Sequence, residues 1–213
     1  PILRTGIREN AEVWAKEIDI TPQGVQFDLQ LPGEDLMHIR LHIPGLFSVY
    51  NALSAATACY LLGCRAIDIK RGLERLLSVS GRIEPLATGD RDFTLLLDYA
   101  HTPDALENVL KTVRGFAEGR IITLFGCGGN RDHAKRPLMG EVVGRNSDYC
   151  IITSDNPRME KPMEIIRMVE EGVKKSGCEY VVIENRLDAI RYALKMAERN
   201  DVVLLTGTAC RVY

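Results

Sequence analysis

Hydrophobic positions along the chain change their period twice. Between residues 13 and 43 they alternate with polar positions, which predicts an antiparallel β meander. From Val49 the apolar spacing becomes three and four, which predicts a helix, and a second helix is predicted through Leu73, Leu76 and Leu77. The alternating positions are Val25, Phe27, Leu29, Leu31, Met37, Ile39, Leu41 and Ile43. The segment SVSGRIEP, residues 78–85, then breaks the pattern and indicates a domain boundary.

From Phe93 onward one unit repeats: a short apolar strand, a loop with Gly, Pro or Asn, and an amphipathic helix. The strands are FTLLLD, IITLF, YCIIT, YVVI and DVVLLT. The first helix has its apolar stripe at Leu106, Val109, Leu110 and Val113, and the last at Leu187, Ile190, Leu194 and Ala197. Strands that are apolar on both faces and alternate with such helices predict an α/β fold. Its sheet is Rossmann-like and mostly parallel, with helices on both faces. Ligands of such sheets bind at the carboxyl ends of the strands.

The composition is that of an ordinary globular chain of 213 residues, with 46% hydrophobic and 26% charged residues and a net charge of -2. This balance argues against a general surface for nucleic acid or for an anionic membrane, so any anion site must be local. The six cysteines form no C-x-x-C pair, which favours reduced core thiols over a zinc site or a disulfide framework. No apolar run has the length of a membrane span, and the start lacks a signal-peptide pattern, so a cytoplasmic protein is expected.

The loop FGCGGNRD follows a strand and precedes a helix, as a phosphate-binding glycine loop does. A dinucleotide fingerprint requires a third glycine, however, and Arg131 occupies that position. Arg158 leaves the end of the next strand, so two guanidinium groups can meet at one edge of the sheet. With Asp155 and Asn156 beside them, they describe a site for a zwitterion. The alternative is that Ser154 to Arg158 form only a tight turn.

The segment DYAHTPD predicts a helix start, with Thr102 as N-cap and Pro103 as first helical residue. Asp98 and His101 need a separate explanation, because both lie at the predicted ligand end of the sheet. A single loop histidine is more often structural than catalytic, so both interpretations of His101 stay open at this point.

Five segments resemble the Mur ligases, the amide ligases of peptidoglycan synthesis. They are PGLFSVYNALSAATA, GRIE, DYAHTPDALENVL, FGCGGNRDHAKRPLMG and TSDNPR. The resemblance implies that residues 1–80 are the C-terminal part of a central ATP-binding domain and that 81–213 form the C-terminal, amino-acid-binding domain. It implies an ATP- and Mg²⁺-dependent ligase. Its substrates would be UDP-N-acetylmuramoyl-L-alanyl-D-glutamate and an amino acid, and Asp-Asn-Pro-Arg resembles the motif of members that add meso-diaminopimelate.

The resemblance also implies roles for individual residues. Asn51, Arg82 and Asp98 look like nucleotide-binding or hinge residues, and His101 looks like a catalytic neighbour of the transferred phosphate. No metal ligand is implied. The residues that look like the meso-diaminopimelate site are Arg131, Asp155, Asn156, Pro157, Arg158 and Gly207.

The chain departs from the family pattern at several points. The Gly-Lys-Thr loop of the family is absent, as is the uridine-nucleotide domain, which favours a fragment whose partner is the missing N-terminal part of the enzyme. After Gly207 the family reads Lys-Gly-His-Glu, whereas this chain has TACR, so Arg211 stands where a substrate-binding glutamate is expected. Ser48 replaces an asparagine that is usual in the family. A catalytically silent remnant, or a module that only binds an amino acid or a partner, is the alternative function.

Overall fold

The structure is a computed structural model that describes residues 2–21 and 23–207. The chain divides into two compact units, Pro1–Ser80 and Gly81–Tyr213. The segment after Gly207, where Arg211 was expected to replace a glutamate, lies outside the described residues.

The first unit contains a four-stranded sheet and two helices. Its strands are β1 (Thr5–Gly6), β2 (Val13–Thr21), β3 (Gly24–Gln30) and β4 (Met37–Leu41), and its helices are α1 (Leu46–Leu61) and α2 (Ala66–Glu74). β2, β3 and β4 form an antiparallel meander, and β1 pairs with β2 in parallel. The alternating apolar side chains form a core with α1, in which Phe27, Leu29 and Ile39 are buried with Val49 and Leu53.

The second predicted helix is shorter than its leucine spacing indicated. α2 ends at Glu74, and Leu76 and Leu77 lie beyond it with 48% and 68% of their surface exposed. The placement of these two leucines in the helix was therefore wrong. Ile69 is buried and Leu73 packs partly against the core. The helix ends once these residues are covered, since short helices are stabilised mainly by packing of one apolar face.

The second unit is a six-stranded sheet with helices on both faces. The elements are β5 (Glu84–Leu86), β6 (Thr94–Asp98), α3 (Pro103–Arg114), β7 (Ile121–Phe125), α4 (Lys135–Asn146), β8 (Tyr149–Ile152), α5 (Pro162–Ser176), β9 (Glu179–Val182), α6 (Arg186–Met196) and β10 (Val202–Thr206). The strand order is β5-β6-β10-β7-β8-β9, with all neighbours parallel except the edge strand β5. The mostly parallel α/β sheet was predicted from the sequence and is confirmed.

Each of the five parallel strands, β6 to β10, gives alternate side chains to two cores. In β7, Ile121 and Phe125 pack with α3, α4 and α5, whereas Ile122 and Leu124 pack on the side of α6. The predicted stripe of α3 is buried as expected. The stripe predicted for α6 was partly wrong, because Leu187 is 56% exposed and the buried residues are Ala189 and Ala193. Small residues at those two positions let the helix lie close to the sheet.

None of the described helices combines the length and hydropathy that a membrane span requires.

Candidate functional site

The carboxyl ends of four neighbouring strands lie at one edge of the second sheet. β10 lies between β6 and β7, and Thr206 pairs with Asp98. The Gly207 N–H donates to the Asp98 carbonyl over 3.1 Å, and the Thr153 N–H donates to the Phe125 carbonyl over 2.9 Å. The loops that follow β6, β7, β8 and β10 therefore start at one level, and most of the predicted site residues lie in these loops.

The glycine loop after β7 and the Asp-Asn-Pro-Arg turn after β8 are joined by main-chain contacts. The Gly129 N–H donates to the Asn156 carbonyl over 2.8 Å, and the Met159 N–H donates to Asn130 Oδ1 over 3.0 Å. A Cβ on Gly129 would lie 1.8 Å from the Pro157 carbonyl oxygen, so no other residue fits without moving a backbone. This glycine allows two loops to approach each other, a role that the sequence pattern did not reveal.

The same contact places Arg158 and the side-chain stem of Arg131 next to Gly128. Arg158 Nη1 donates to the Gly129 carbonyl over 2.6 Å, and both this nitrogen and Arg131 Cγ lie within 4 Å of the Cβ position of Gly128. Arg158 has φ 50°, a left-handed conformation that few non-glycine residues adopt. Its side chain is thus partly used to hold the loop. The Nε and Nη2 edge has the geometry for a bidentate carboxylate.

Asp155 and Gly207 lie together at the centre of this edge. Gly207 is buried with φ 101°, and a Cβ there would be 2.4 Å from Asp155 Oδ2. The same position is 4.0 Å from Arg186 Nη2, which donates to the Thr206 carbonyl over 2.6 Å. Only a residue without a side chain can bring the backbone this close to the carboxylate of Asp155.

Arg186 is a residue of this edge that the sequence reasoning missed. Its Nε and Nη1 atoms are buried without a hydrogen-bond partner within residues 2–21 and 23–207. The sequence did contain an indication of its importance. Arg186 is the first residue of α6, where the helix dipole disfavours a positive charge. A cation at that position has to be stabilised by contacts outside its own helix.

Asp98 ties the start of the second unit to the end of β6. Its Oδ2 accepts the Ile83 N–H over 2.9 Å and its Oδ1 accepts the Ala100 N–H over 2.8 Å. Burial raises the pKa of this carboxyl above its ordinary value, and these two hydrogen bonds with the nearby Arg82 oppose the shift without cancelling it. The hydrogen bond from Ile83 to Asp98 therefore restrains the segment beside the predicted domain boundary.

The other residues predicted for the nucleotide are exposed. His101 Nδ1 donates to the Tyr99 carbonyl over 2.9 Å, which fixes a proton on that ring nitrogen. The His101 ring lies edge-on to the Tyr99 ring at 5.0 Å. Arg82 is exposed just before β5, and Asn51 is exposed on α1 of the first unit. Their roles stay predictions.

A cavity of about 800 Å³ opens beside the joined loops. The residues that line it are Asn130, Arg131, Asp132, His133, Glu160 and Glu164. Its size is in the range of small-molecule sites, and its mixture of cation and carboxylates suits a zwitterion. The described residues contain no group of three or more His, Cys, Asp or Glu side chains that could hold a metal ion.

This fold and site define an α/β protein with a polar ligand edge on a parallel sheet. Residues 81–209 match the family model described as Mur ligase, glutamate ligase domain, and residues 1–59 match the Mur ligase middle domain. The chain therefore belongs to the Mur ligase family, as its motifs indicated.

Several curated relatives carry the same name. A UDP-N-acetylmuramoyl-L-alanyl-D-glutamate--2,6-diaminopimelate ligase from Caldanaerobacter subterraneus subsp. tengcongensis is 50% identical over 212 residues, covering 100% of this chain and 43% of that protein. The ligase of the same name from Clostridioides difficile is 46% identical over 213 residues, covering 100% of this chain and 44% of that protein. The chain thus spans less than half the length of these relatives.

Solved structures agree with this fold. A structure described as a UDP-N-acetylmuramoyl-L-alanyl-D-glutamate--2,6-diaminopimelate ligase superposes with a TM-score of 0.70 at 31% identity, covering 100% of this chain and 43% of that chain. The UDP-N-acetylmuramate-alanine ligase from Thermotoga maritima superposes with a TM-score of 0.75 at 19% identity, covering 96% of this chain and 44% of that chain. At that identity the second likeness shows the fold alone.

Proposed function

We propose that this chain is the amino-acid-binding part of an ATP-dependent ligase. The ligase joins meso-diaminopimelate to UDP-N-acetylmuramoyl-L-alanyl-D-glutamate. The observation that carries the proposal is the joined pair of loops, which holds Arg131 and Arg158 beside each other and Asp155 near Gly207 at one edge of the sheet. The shared name of relatives up to 50% identical supports the same reaction for the whole protein, of which this chain matches a part.

In the proposed reaction, ATP converts the D-glutamate carboxylate to an acyl phosphate, and attack by the amine of the amino acid forms the amide and releases phosphate. The residues of this chain select and orient the amino acid. Arg131 and the Nε and Nη2 edge of Arg158 bind the distal carboxylate of meso-diaminopimelate, while Asp155 and Asn156 bind the ammonium group beside it. Pro157 contributes its carbonyl to the contact with Gly129.

The nucleotide side of the reaction involves fewer residues of this chain. In the proposal, Asn51 and Arg82 contact ATP, and His101 lies next to the transferred phosphate. Asp98 acts as a hinge tie, since both of its oxygens already accept main-chain N–H groups. The described residues contain no cluster of three or more His, Cys, Asp or Glu side chains, and no step is assigned to a metal here. The proposed partner, in the cytoplasm, is the portion of the relatives that this chain does not match.

The proposal predicts a strong preference for meso-diaminopimelate over lysine. Lysine lacks the distal carboxylate, so it leaves the two guanidinium groups without a partner, and sites built for a polar group reject such analogues by roughly 10⁴-fold. The test uses a complete protein, made by joining this chain to the amino-terminal portion of the Caldanaerobacter relative. Phosphate release and product mass are measured with each amino acid, and kcat/KM is compared.

Two variants sharpen this test. Arg158→Ala is expected to lose most of the preference, and Arg167→Ala, an exposed arginine on α5, is the matched control and should keep it. Equal kcat/KM for lysine and meso-diaminopimelate, or an Arg158→Ala protein with full discrimination, would show that the motif is only a turn. A completed protein without product formation would favour the silent remnant.

A further inference from the structure

Arg136 has a costly position that the proposed reaction does not explain. It is the second residue of α4, and only 1% of its surface is exposed. A buried guanidinium must be paired, and the positive end of the helix dipole adds to the cost. Its sequence neighbours do not provide the compensation, so the partner has to come from another segment.

The partner is Glu160, which lies two residues after Arg158. Arg136 Nη1 donates to Glu160 Oε2 and Nη2 donates to Oε1, each over 2.8 Å. This is a parallel, bidentate pair, the strongest geometry for an arginine and a carboxylate. The hydrogen bonds from Arg136, followed by the Asn130 N–H, lower the pKa of Glu160 to about 2, so the carboxylate is charged at neutral pH.

The pair connects three segments rather than two. Glu160 Oε1 also accepts the main-chain N–H of Asn130, and Glu160 Oε2 lies 3.4 Å from His133 Nε2. Arg136 Nη2 reaches the Gly128 carbonyl at 3.5 Å. One carboxylate thereby connects the glycine loop, the start of α4 and the segment that follows the Asp-Asn-Pro-Arg turn.

We infer that Arg136 and Glu160 are positioning residues that set the distance between Arg131 and Arg158, and through it the affinity and selectivity for meso-diaminopimelate. Arg131 follows Asn130, whose N–H the pair holds, and Arg158 precedes Glu160 in the same segment. Both Nη atoms of Arg136 are occupied by Glu160, so the pair holds the loops rather than presenting its own charges to a ligand. This inference rests on the proposed function.

Glu160→Gln tests the inference with the smallest change of shape. In the completed protein it replaces one carboxylate oxygen by an NH2 group, which cannot accept a hydrogen bond from Arg136, and it removes the negative charge, so the two loops lose their common anchor. A displacement of about 1 Å costs roughly 100-fold, so we expect KM for meso-diaminopimelate to rise about 10- to 100-fold and the preference over lysine to fall similarly. The KM values for the other two substrates should stay within twofold. Glu171→Gln, exposed on α5, is the matched control.

Two further variants test whether the bidentate geometry of the pair, rather than its charge or its contribution to folding, is responsible for the effect. Arg136→Lys keeps the charge but loses the bidentate fork, so it should show the defect of Glu160→Gln. The double variant Arg136→Met with Glu160→Leu removes the pair as a whole, which proteins often tolerate without loss of stability. We expect its thermal midpoint to be retained while selectivity is lost. Retained selectivity in this folded variant would overturn the inference.

A readout independent of turnover uses the chain as it is. Hydrogen exchange measured by mass spectrometry should become faster in residues 128–132 and 155–159 of Glu160→Gln, and stay unchanged in β7 and β8. Unchanged exchange in both loops would overturn the positioning role whether or not the ligase is active. Faster exchange in an enzyme that does not use meso-diaminopimelate would support the positioning role and refute only the proposed substrate.

Discussion

The close packing of α4 against α5 depends on glycine. A Cβ on Gly172 of α5 would lie 1.9 Å from the Pro137 carbonyl oxygen and 2.8 Å from the Glu141 nitrogen, both backbone atoms of α4. Real Cβ atoms do not make such contacts below 3.0 Å. In Gly172→Ala the helices must therefore separate by about 1.1 Å, the difference between 1.9 and 3.0 Å. No side-chain rotation can relieve a clash with backbone.

Two opposing terms set the magnitude for Gly172→Ala. Alanine favours the helix by about 1 kcal/mol over glycine, and overpacking against a rigid neighbour costs about 3 kcal/mol, so we expect a net loss of about 2 kcal/mol. For a unit of this size the thermal midpoint should fall by roughly 6–10 °C. Because α4 and α5 follow the two site loops, the separation should also disturb the site.

The matched control is Gly72→Ala in α2, where no atom lies within 4 Å of the Cβ position. At that position only the helix propensity changes, so the free energy of unfolding is expected to rise by up to about 1 kcal/mol. Far-UV circular dichroism follows both units, and the single tryptophan, Trp14 in β2, reports on the first unit. A Gly172→Ala protein as stable as the unsubstituted chain would refute the reasoning, since it would mean that the helices can separate freely.

Two other predictions concern stability. Thr102→Ala removes the acceptor of the Ala105 N–H at the start of α3, so it should cost about 1 kcal/mol in denaturant unfolding, and Thr102→Ser should restore most of it. Burial of Asp201 opposes its ionisation, but hydrogen bonds from Arg120 and two backbone N–H groups outweigh burial and lower its pKa. Ionised Asp201 therefore stabilises the folded state fully at pH values above its unfolded pKa of about 3.9. This stabilisation is lost as the pH falls through the lower pKa that Asp201 has in the folded state. Asp201→Asn should weaken this acid dependence in unfolding curves at pH 2–6; an unchanged dependence would contradict it.

The sequence by itself determined the class of fold and pointed to the edge of the sheet that carries the candidate site. Periods of two and of about 3.6 are local properties, so they predicted the meander, the parallel sheet and the helix start at Thr102. The parallel order of the strands then placed Arg131 and Arg158 at one edge, because parallel strands end on the same side. Where packing decides, as at Leu77 and Leu187, the same pattern was wrong.

Only the tertiary structure decided how the site is held. β10, the last strand within the described residues, lies between β6 and β7, which places Gly207 beside Asp155. Arg136 and Glu160 are 24 residues apart, and Arg186 reaches Thr206 from the start of another helix. A one-dimensional pattern does not indicate which distant charges pair, because pairing depends on burial and on bidentate geometry, and these exist only after the sheet and its helices have packed.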